Sequence, residues 1–226
     1  MLNPQELTGR AATHVRQVAE LHSRLHVDAI AAVVQLREAA ARAGVELTIV
    51  SSFRDFARQT AIWNGKYRGE RPLLDRAGQP LDAAKLDESG KVDAILLWSA
   101  LPGASRHHWG SDFDVIDRAA VPSDYRPQLT AEEFAPGGPF ARLNDWLGLN
   151  LGRFGFFRPY TSDRGGVQPE PWHVSYAPVA GPALTGLTLD VLYEAIDKSE
   201  VLGREHVLTR LPEIHAKYVM AIDPAD

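Results

Sequence analysis

The sequence predicts an α+β protein in which helices pack against short strands. Two periods predict this class: some stretches repeat apolar residues about every 3.6 positions, and others alternate apolar and polar residues. These are the patterns of amphipathic helices and of half-buried strands. The composition, with 45% hydrophobic and 23% charged residues, is ordinary for a globular protein.

The clearest helical pattern covers residues 26–41, where five apolar residues recur at helical spacing: Val27, Ile30, Val33, Val34 and Leu36. A weak helical pattern with an irregular start covers residues 1–24. Further helices are predicted from about Asp55 to Trp63 and from Phe140 to Leu149. After Gly181 the chain is again predicted to be helical, in two segments.

Four segments are predicted as strands. Residues 45–50 are the clearest, because they alternate with a period of two and are rich in β-branched side chains. The other three are shorter: Phe113–Asp117, Phe154–Phe157 and Trp172–Tyr176.

Residues 64–104 have no clean period and carry many Gly, Pro, Asp and Lys residues. Long irregular loops in compact domains are mostly functional or mobile, so we predict an active-site flap or a surface excursion. Residues 95–98 are expected to form a short buried piece within it. We predict one domain over residues 1–226, with a core of about 26–180 and a helical extension over 181–226.

Charge and composition exclude several functional classes. The net charge of −5 and the isoelectric point near 5.9 argue against a nucleic-acid partner. The chain has no cysteine, so disulfides, thiolate metal sites and cysteine nucleophiles are excluded. No stretch approaches the ~18 apolar residues of a membrane span. Residues 1–7 lack the features of a signal peptide, and we therefore expect a cytoplasmic protein, with the periplasm as the alternative.

Two short segments hold the residues that carry chemistry, Ser105–Asp114 and Glu170–His173. Hydrolysis of a peptide bond at neutral pH needs an activated water and a Lewis acid, and a zinc ion supplies both. A catalytic zinc site has three protein ligands and one open position. His107, Asp114 and His173 are three such ligands, so the sequence predicts a zinc peptidase.

Residues seven apart on one strand face opposite ways, so His107 and Asp114 need a turn between them. Gly110 can supply that turn. Glu170, three residues before His173, is a carboxylate that can take the proton from the attacking water. His108 remains an alternative to His107 as the ligand.

The combined motifs resemble those of the VanY-type zinc D,D- and L,D-carboxypeptidases: Ser105-x-His107-x-x-Gly110-x-x-x-Asp114 and Glu170-x-Trp172-His173. These enzymes belong to the LAS group, named for lysostaphin, D-alanyl carboxypeptidases and sonic hedgehog. Ser51-Ser52-Phe53-Arg54, with Gln59 five residues after the arginine, matches a third motif of the family. The three motifs lie in the expected order within residues 45–178.

The resemblance implies a fold and a role for each motif residue. The fold would be a small antiparallel sheet that carries the zinc site and packs against helices. One zinc ion would be held by His107, Asp114 and His173, with Glu170 as general base and acid. The substrate contacts would be oxyanion stabilisation by Arg54, binding of the terminal carboxylate by Ser105 and Gln59, and packing beneath the site by Trp172.

The chain departs from the family pattern at several points. Asp112 stands where the family commonly has Ala. It could compete as a metal ligand, or it could contact one of the ligands without touching the metal. Asp55 stands where the family usually has Ser, and residues 66–100 form an insertion that leaves specificity open. Arg54 could also be a strand-end salt bridge, and Ser105 a simple turn residue.

The motifs predict a zinc carboxypeptidase that removes a terminal D-amino acid from a peptidoglycan stem peptide or muropeptide. L,D cleavage of the tetrapeptide is favoured, because a cytoplasmic enzyme would act on recycled peptides. The alternatives are a D,D-carboxypeptidase, a D-Ala-D-Ala dipeptidase, a cell-wall endopeptidase and a zinc-binding module without activity.

Overall fold

The computed structural model describes residues 1–225 and confirms the α+β class. The strands are β1 (Val15–Val18), β2 (Ser23–His26), β3 (Leu47–Ser51), β4 (Leu73–Leu74), β5 (Pro80–Leu81), β6 (Asp112–Asp117), β7 (Phe156–Phe157) and β8 (His173–Tyr176). The main sheet has four antiparallel strands in the order β3-β6-β8-β7, and two hairpins form separate two-stranded sheets, β1-β2 and β4-β5.

Helices surround the main sheet. They are α1 (Pro4–Leu7), α2 (Ile30–Arg42), α3 (Phe56–Tyr67), α4 (Glu88–Leu96), α5 (Ala131–Phe134), α6 (Ala141–Asn150), α7 (Ala177–Gly186), α8 (Leu189–Asp197), α9 (Arg204–Thr209) and α10 (Leu211–Ile214). The predicted helices near 26–41, 55–63 and 140–149 are confirmed as α2, α3 and α6. Among residues 1–225, every helix is too short or too polar to cross a lipid bilayer.

The weak helix predicted within residues 1–24 is wrong for most of its length, because β1 and β2 pair there as an antiparallel hairpin. Val15 and Val18 are three residues apart, which fits a helix in sequence. In the structure both are buried at the two ends of one short strand. The His26 N–H then donates to the Gly110 carbonyl oxygen (2.8 Å), so the hairpin packs against the turn before β6.

Residues 66–100 are more regular than the sequence predicts. They contain the β4-β5 hairpin and α4, a helix whose N-cap Asp87 accepts a hydrogen bond from the Gly90 N–H (2.7 Å). The predicted buried piece is confirmed for Ile95 and Leu96, which are almost fully buried at the end of α4, whereas Leu97 and Trp98 are half-buried. The weak pattern arose because Gly and Asp residues occupy the first turns of this helix.

The buried apolar side chains form two clusters. One lies between the main sheet and helices α2 and α6, and includes Leu36, Phe113 and Leu147. The other joins α3, α4 and the C-terminal helices, and includes Trp63, Ile95, Trp109, Leu192 and Val207. The segment after residue 181 therefore completes the same core as the insertion.

The pairing of β6 with β8 decides which side chains share a face. Asp112 lies opposite Ser175, and Asp114 lies opposite His173. Because successive side chains of a strand alternate between faces, these four residues lie on one face. The residues between them, such as Phe113 and Val174, are buried in the apolar cluster on the other face.

We predict that Gly110→Ala destabilises the protein. Gly110 has φ +66°, and an added Cβ would lie 2.8 Å from the His26 backbone N and meet the Val15 side chain. Left-handed backbone and overpacking together predict a loss of about 2–5 kcal/mol in the free energy of unfolding, measured by urea denaturation.

Gly137→Ala is the matched control, because Gly137 also has a positive φ but an added Cβ would meet nothing within 4 Å. Only the backbone cost of about 1–2 kcal/mol is expected there. Equal losses in the two variants would show that the close packing at Gly110 is not important.

Candidate active site

A tight turn brings His107 to the face of the sheet that carries Asp114. Residues Arg106–Trp109 form one 3-10 turn, and Gly110 ends it in the left-handed conformation, as the sequence predicts. His107 Nε2 then lies 3.5 Å from Asp114 Oδ2, and His173 Nδ1 lies 3.4 Å from Asp114 Oδ1. One ligand atom from each of these three buried residues lies within 4.8 Å of the other two.

The donor set fits a divalent metal ion. Ligand atoms about 2.0–2.2 Å from a tetrahedral ion are separated by roughly 3.3–3.6 Å. The two distances above, each to a different oxygen of Asp114, lie in that range. Asp114 Oδ1 is buried and has no hydrogen-bond partner among residues 1–225. A buried carboxylate oxygen without a partner needs an explanation, and a bound cation provides one.

His107 is held as a neutral ligand. Its Nδ1 lies 3.0 Å from the Ser52 carbonyl oxygen, which assigns the ring proton to Nδ1 and leaves the Nε2 lone pair facing Asp114. Burial, together with the charge of Arg54, lowers the pKa of His107 to about 3. The imidazole is therefore free of the proton that would compete with a metal.

His173 is surrounded by carboxylates. Its Nε2 lies 3.1 Å from Asp112 Oδ1, and its Nδ1 lies 3.4 Å from both Asp114 Oδ1 and Glu170 Oε2. Burial by itself would lower the pKa of His173, but its contacts with these three carboxylates raise it well above its ordinary value. The site thus attracts positive charge, whether as a proton or as a metal ion.

The structure places the two alternative ligands away from the metal position. His108 Nδ1 donates to the Arg54 carbonyl oxygen (2.6 Å), and its Nε2 accepts from the Gly103 N–H (3.1 Å), so both ring nitrogens are occupied. The Asp112 carboxylate accepts from Arg106 and from Ser111 and contacts the far nitrogen of His173.

A cavity of about 280 Å³ opens beside the three ligands. Of the predicted site residues, it is lined by Arg54, Ser105, His107, Asp114, Glu170, Trp172 and His173. The Glu170 side chain is 15% exposed and lies next to the ligand atoms. Trp172 is buried in the cavity wall and packs against Phe134, with ring centroids 5.7 Å apart.

Gln59 lies outside the residues that line this cavity. It is 1% exposed, its Oε1 accepts from Arg54 Nη1 (3.0 Å), and its Nε2 donates to the Ala100 carbonyl oxygen (2.8 Å). Its predicted contact with substrate stays a prediction, and the geometry favours an indirect role. Gln59 orients the Arg54 guanidinium, whose Nη2 lies 3.9 Å from Asp114 Oδ2.

Several cavity residues were not found from the sequence. Tyr160 packs edge-on against His173 (5.3 Å between ring centroids), and Leu129, with φ +53°, lies on another wall. The insertion contributes Leu74 and Trp98. None of these residues belongs to a motif with recognisable spacing, so tertiary contacts alone bring them to the site.

The loop that carries Tyr160 and Glu170 is held by contacts with the C-terminal segment and with the insertion. Asp223 accepts hydrogen bonds from the backbone and side chains of Thr161 and Ser162, at 2.5–3.0 Å. The Gln168 N–H donates to the Leu97 carbonyl oxygen (2.9 Å) of the insertion. The C-terminal segment and the insertion therefore hold this loop in place.

Comparison with known proteins gives one family. Residues 22–179 match the family model described as VanY: D-alanyl-D-alanine carboxypeptidase. Two uncharacterized proteins of Haemophilus influenzae are similar in sequence. One is 45% identical over 103 residues, covering 44% of this chain and 70% of the relative. The other is 33% identical over 122 residues, covering 53% of this chain and 93% of the relative.

Solved structures share the fold. A vancomycin resistance D,D-pentapeptidase VanY in complex with Zn(II) has a TM-score of 0.51 at 23% identity, covering 78% of this chain and 86% of that one. The LdcB LD-carboxypeptidase has a TM-score of 0.50 at 22% identity, covering 82% of this chain and 73% of that one. At these identities the likeness shows the fold alone.

We predict that zinc affinity falls as the pH falls. Below its raised pKa, His173 carries a proton on a nitrogen that zinc needs, so zinc must displace that proton. The affinity should then fall by about tenfold per pH unit, with about one proton released per zinc bound. Calorimetric zinc titrations in buffers of different ionisation enthalpy measure both quantities.

The exposed His22 supplies the control, because His22→Asn should leave the zinc affinity and its pH dependence unchanged. An affinity that stays constant with pH would contradict the predicted proton displacement at His173.

Proposed function

The chain belongs to the VanY family of D-alanyl-D-alanine carboxypeptidases, and on that premise we propose that it is a zinc-dependent carboxypeptidase acting on peptidoglycan stem peptides. Its reaction would remove the terminal D-amino acid. One observation carries the proposal: the candidate ligands His107, Asp114 and His173 lie within 4.8 Å of one another in a cavity that also contains Glu170 and Arg54.

Proton transfer is the role proposed for Glu170. A zinc ion bound by the three ligands would polarise the scissile carbonyl and lower the pKa of a water. The Glu170 carboxylate lies beside the ligand group, and in the family motif this glutamate is the base. Glu170 would take a proton from the attacking water and then give it to the leaving amine, so one residue serves both steps.

Arg54 is proposed to stabilise the oxyanion. Its guanidinium lies on the cavity wall close to Asp114 and is oriented by Gln59, so it requires little reorganisation during the reaction. Its positive charge would face the oxygen that becomes negative as the water adds to the carbonyl. One well-placed donor of this kind lowers the barrier by roughly 2.7–4 kcal/mol.

The shape of the cavity favours the end of a peptide over its middle. A volume of about 280 Å³ is small for a ligand site, and the insertion lines part of the cavity with Leu74 and Trp98. Ser105 lies on the wall and is the residue proposed to bind the terminal carboxylate. These features support exo-cleavage and argue against the endopeptidase alternative.

L,D cleavage of the tetrapeptide is the finer form of the proposal, with D,D cleavage of the pentapeptide and D-Ala-D-Ala dipeptidase activity as alternatives. A zinc-binding module without activity would need neither Glu170 nor Arg54, and both line the cavity. Activity in the cytoplasm on recycled peptides remains part of the proposal.

The function is tested by incubating the zinc-loaded protein with stem tetrapeptide and pentapeptide and following D-Ala release by mass spectrometry. We expect cleavage of the tetrapeptide, its loss on addition of a chelator, and its recovery with added zinc. Release from the pentapeptide alone would overturn the L,D preference. No release from either peptide would overturn the proposed function.

Glu170→Gln should lower kcat by about 10²–10⁴-fold, because the amide cannot accept the proton. Zinc binding should persist, since Glu170 is not among the three proposed ligands. Glu132→Gln, at an exposed acidic position, is the control and should keep full activity. A Glu170→Gln variant with normal kcat would show that another group is the base.

A further inference from the structure

Asp112 is buried behind the candidate ligand His173. It is fully buried, and its Oδ1 lies 3.1 Å from His173 Nε2, the ring nitrogen that points away from Asp114. The strand register explains the contact, because Asp112 and Asp114 lie on the same face of β6 and His173 is opposite Asp114. Asp112 therefore contacts Nε2 of the His173 ring, and Asp114 contacts Nδ1 of the same ring.

Arg106 compensates the buried charge of Asp112. Its Nε donates to Asp112 Oδ1 (2.7 Å), and its Nη2 donates to the Ser175 hydroxyl (2.7 Å). Arg106 is 4% exposed, and its guanidinium lies over the Trp109 ring (4.8 Å to the centroid). A charged pair this deeply buried is costly unless each partner has several contacts. Both partners have several, while Arg106 Nη1 has no hydrogen-bond partner among residues 1–225.

Other contacts hold the carboxylate in a fixed orientation. Ser111 donates its hydroxyl proton to Asp112 Oδ2 (2.7 Å), so Oδ1 is shared by Arg106 and His173. Ser175, which supports Arg106, is paired directly opposite Asp112 across the two strands. The arrangement is thus anchored on both β6 and β8.

We propose that the Arg106–Asp112 pair is a positioning device that orients His173 for metal binding. By accepting a hydrogen bond from the Nε2–H group, Asp112 selects the tautomer in which the Nδ1 lone pair faces the site, and it fixes the plane of the ring. Arg106 neutralises the carboxylate and prevents it from turning toward the metal as a fourth ligand. The inference rests on the metal site of the proposed function.

Arg106 and Asp112 both lie at positions where the motif does not require a particular residue. Asp112 is the first residue of β6. Arg106 occupies the variable position between Ser105 and His107. Their ion pair links two of the variable positions of the motif through space. The buried Asp112 carboxylate is balanced in this way by the Arg106 guanidinium.

The test measures zinc affinity in metal-free protein, by competition with a chromophoric chelator. Asp112→Ala by itself would leave the Arg106 charge buried without its partner, and it could unfold the chain. The informative variant is therefore the neutral double substitution, Arg106→Met with Asp112→Ala. We expect its zinc affinity to fall by about 10–100-fold while circular dichroism shows a folded protein.

The absorption spectrum of bound Co²⁺ gives a readout that a merely structural role would not change. Loss of the Asp112 contact frees the His173 ring to rotate, so the ligand field of the cobalt ion should shift in the double variant. In the Arg106→Met background, Asp112→Asn should give a smaller loss of affinity than Asp112→Ala, because its amide oxygen can still accept from His173 Nε2.

Asp117→Asn is the matched control, since Asp117 is a buried aspartate of the same strand that bonds backbone N–H groups away from the site. Its zinc affinity should equal that of the wild type. A folded double variant with wild-type zinc affinity and cobalt spectrum would overturn the inference. This outcome is distinguishable from failure of the proposed function, which would show as absent peptide cleavage by a protein that binds zinc.

Discussion

The register between β6 and β8 is the constraint on which the site depends. Pairing Asp114 with His173 and Asp112 with Ser175 places two carboxylates, an imidazole and a hydroxyl on one face. A slip of one residue would exchange these side chains with Phe113 and Val174. Because those apolar residues are completely buried on the other face, the hydrophobic core fixes the register that the chemistry needs.

Charge balance at the site follows from burial. Asp112 and Asp114 are buried, and each is compensated by a different cation: Arg106 contacts Asp112, and Arg54 approaches Asp114. Burial opposes ionisation of Asp114, but nearby His107, His173 and Arg54 lower its pKa to about 2. The carboxylate nearest the metal position thus stays ionised, and one of its oxygens remains without a hydrogen-bond partner among the described residues.

The cavity beside the ligands is built by segments far apart in the chain. The insertion supplies Leu74 and Trp98, and the loop before Glu170 supplies Tyr160 and Val167. That loop is held by Asp223 near the C-terminus. Chain segments that look peripheral in sequence therefore shape the cavity beside the candidate ligands.

The sequence by itself determined the residues whose type and spacing are demanded by chemistry or by a regular period. His107, Asp114, His173 and Glu170 were predicted as a group, and the structure brings them together beside Arg54. The main strands and helices α2, α3 and α6 were predicted because their buried faces repeat with a clear period.

Only the tertiary structure decided the contacts that span the chain. It turned residues 15–26 into a hairpin, because pairing between strands outweighs a local helical spacing. It placed Gln59 behind Arg54 and Asp112 behind His173, and it brought Tyr160 to the cavity. These positions depend on how separate elements pack, and no local period in the sequence predicts that packing. A metal-ligand motif can be recognised from the sequence because its residue types and spacing are themselves what the chemistry requires.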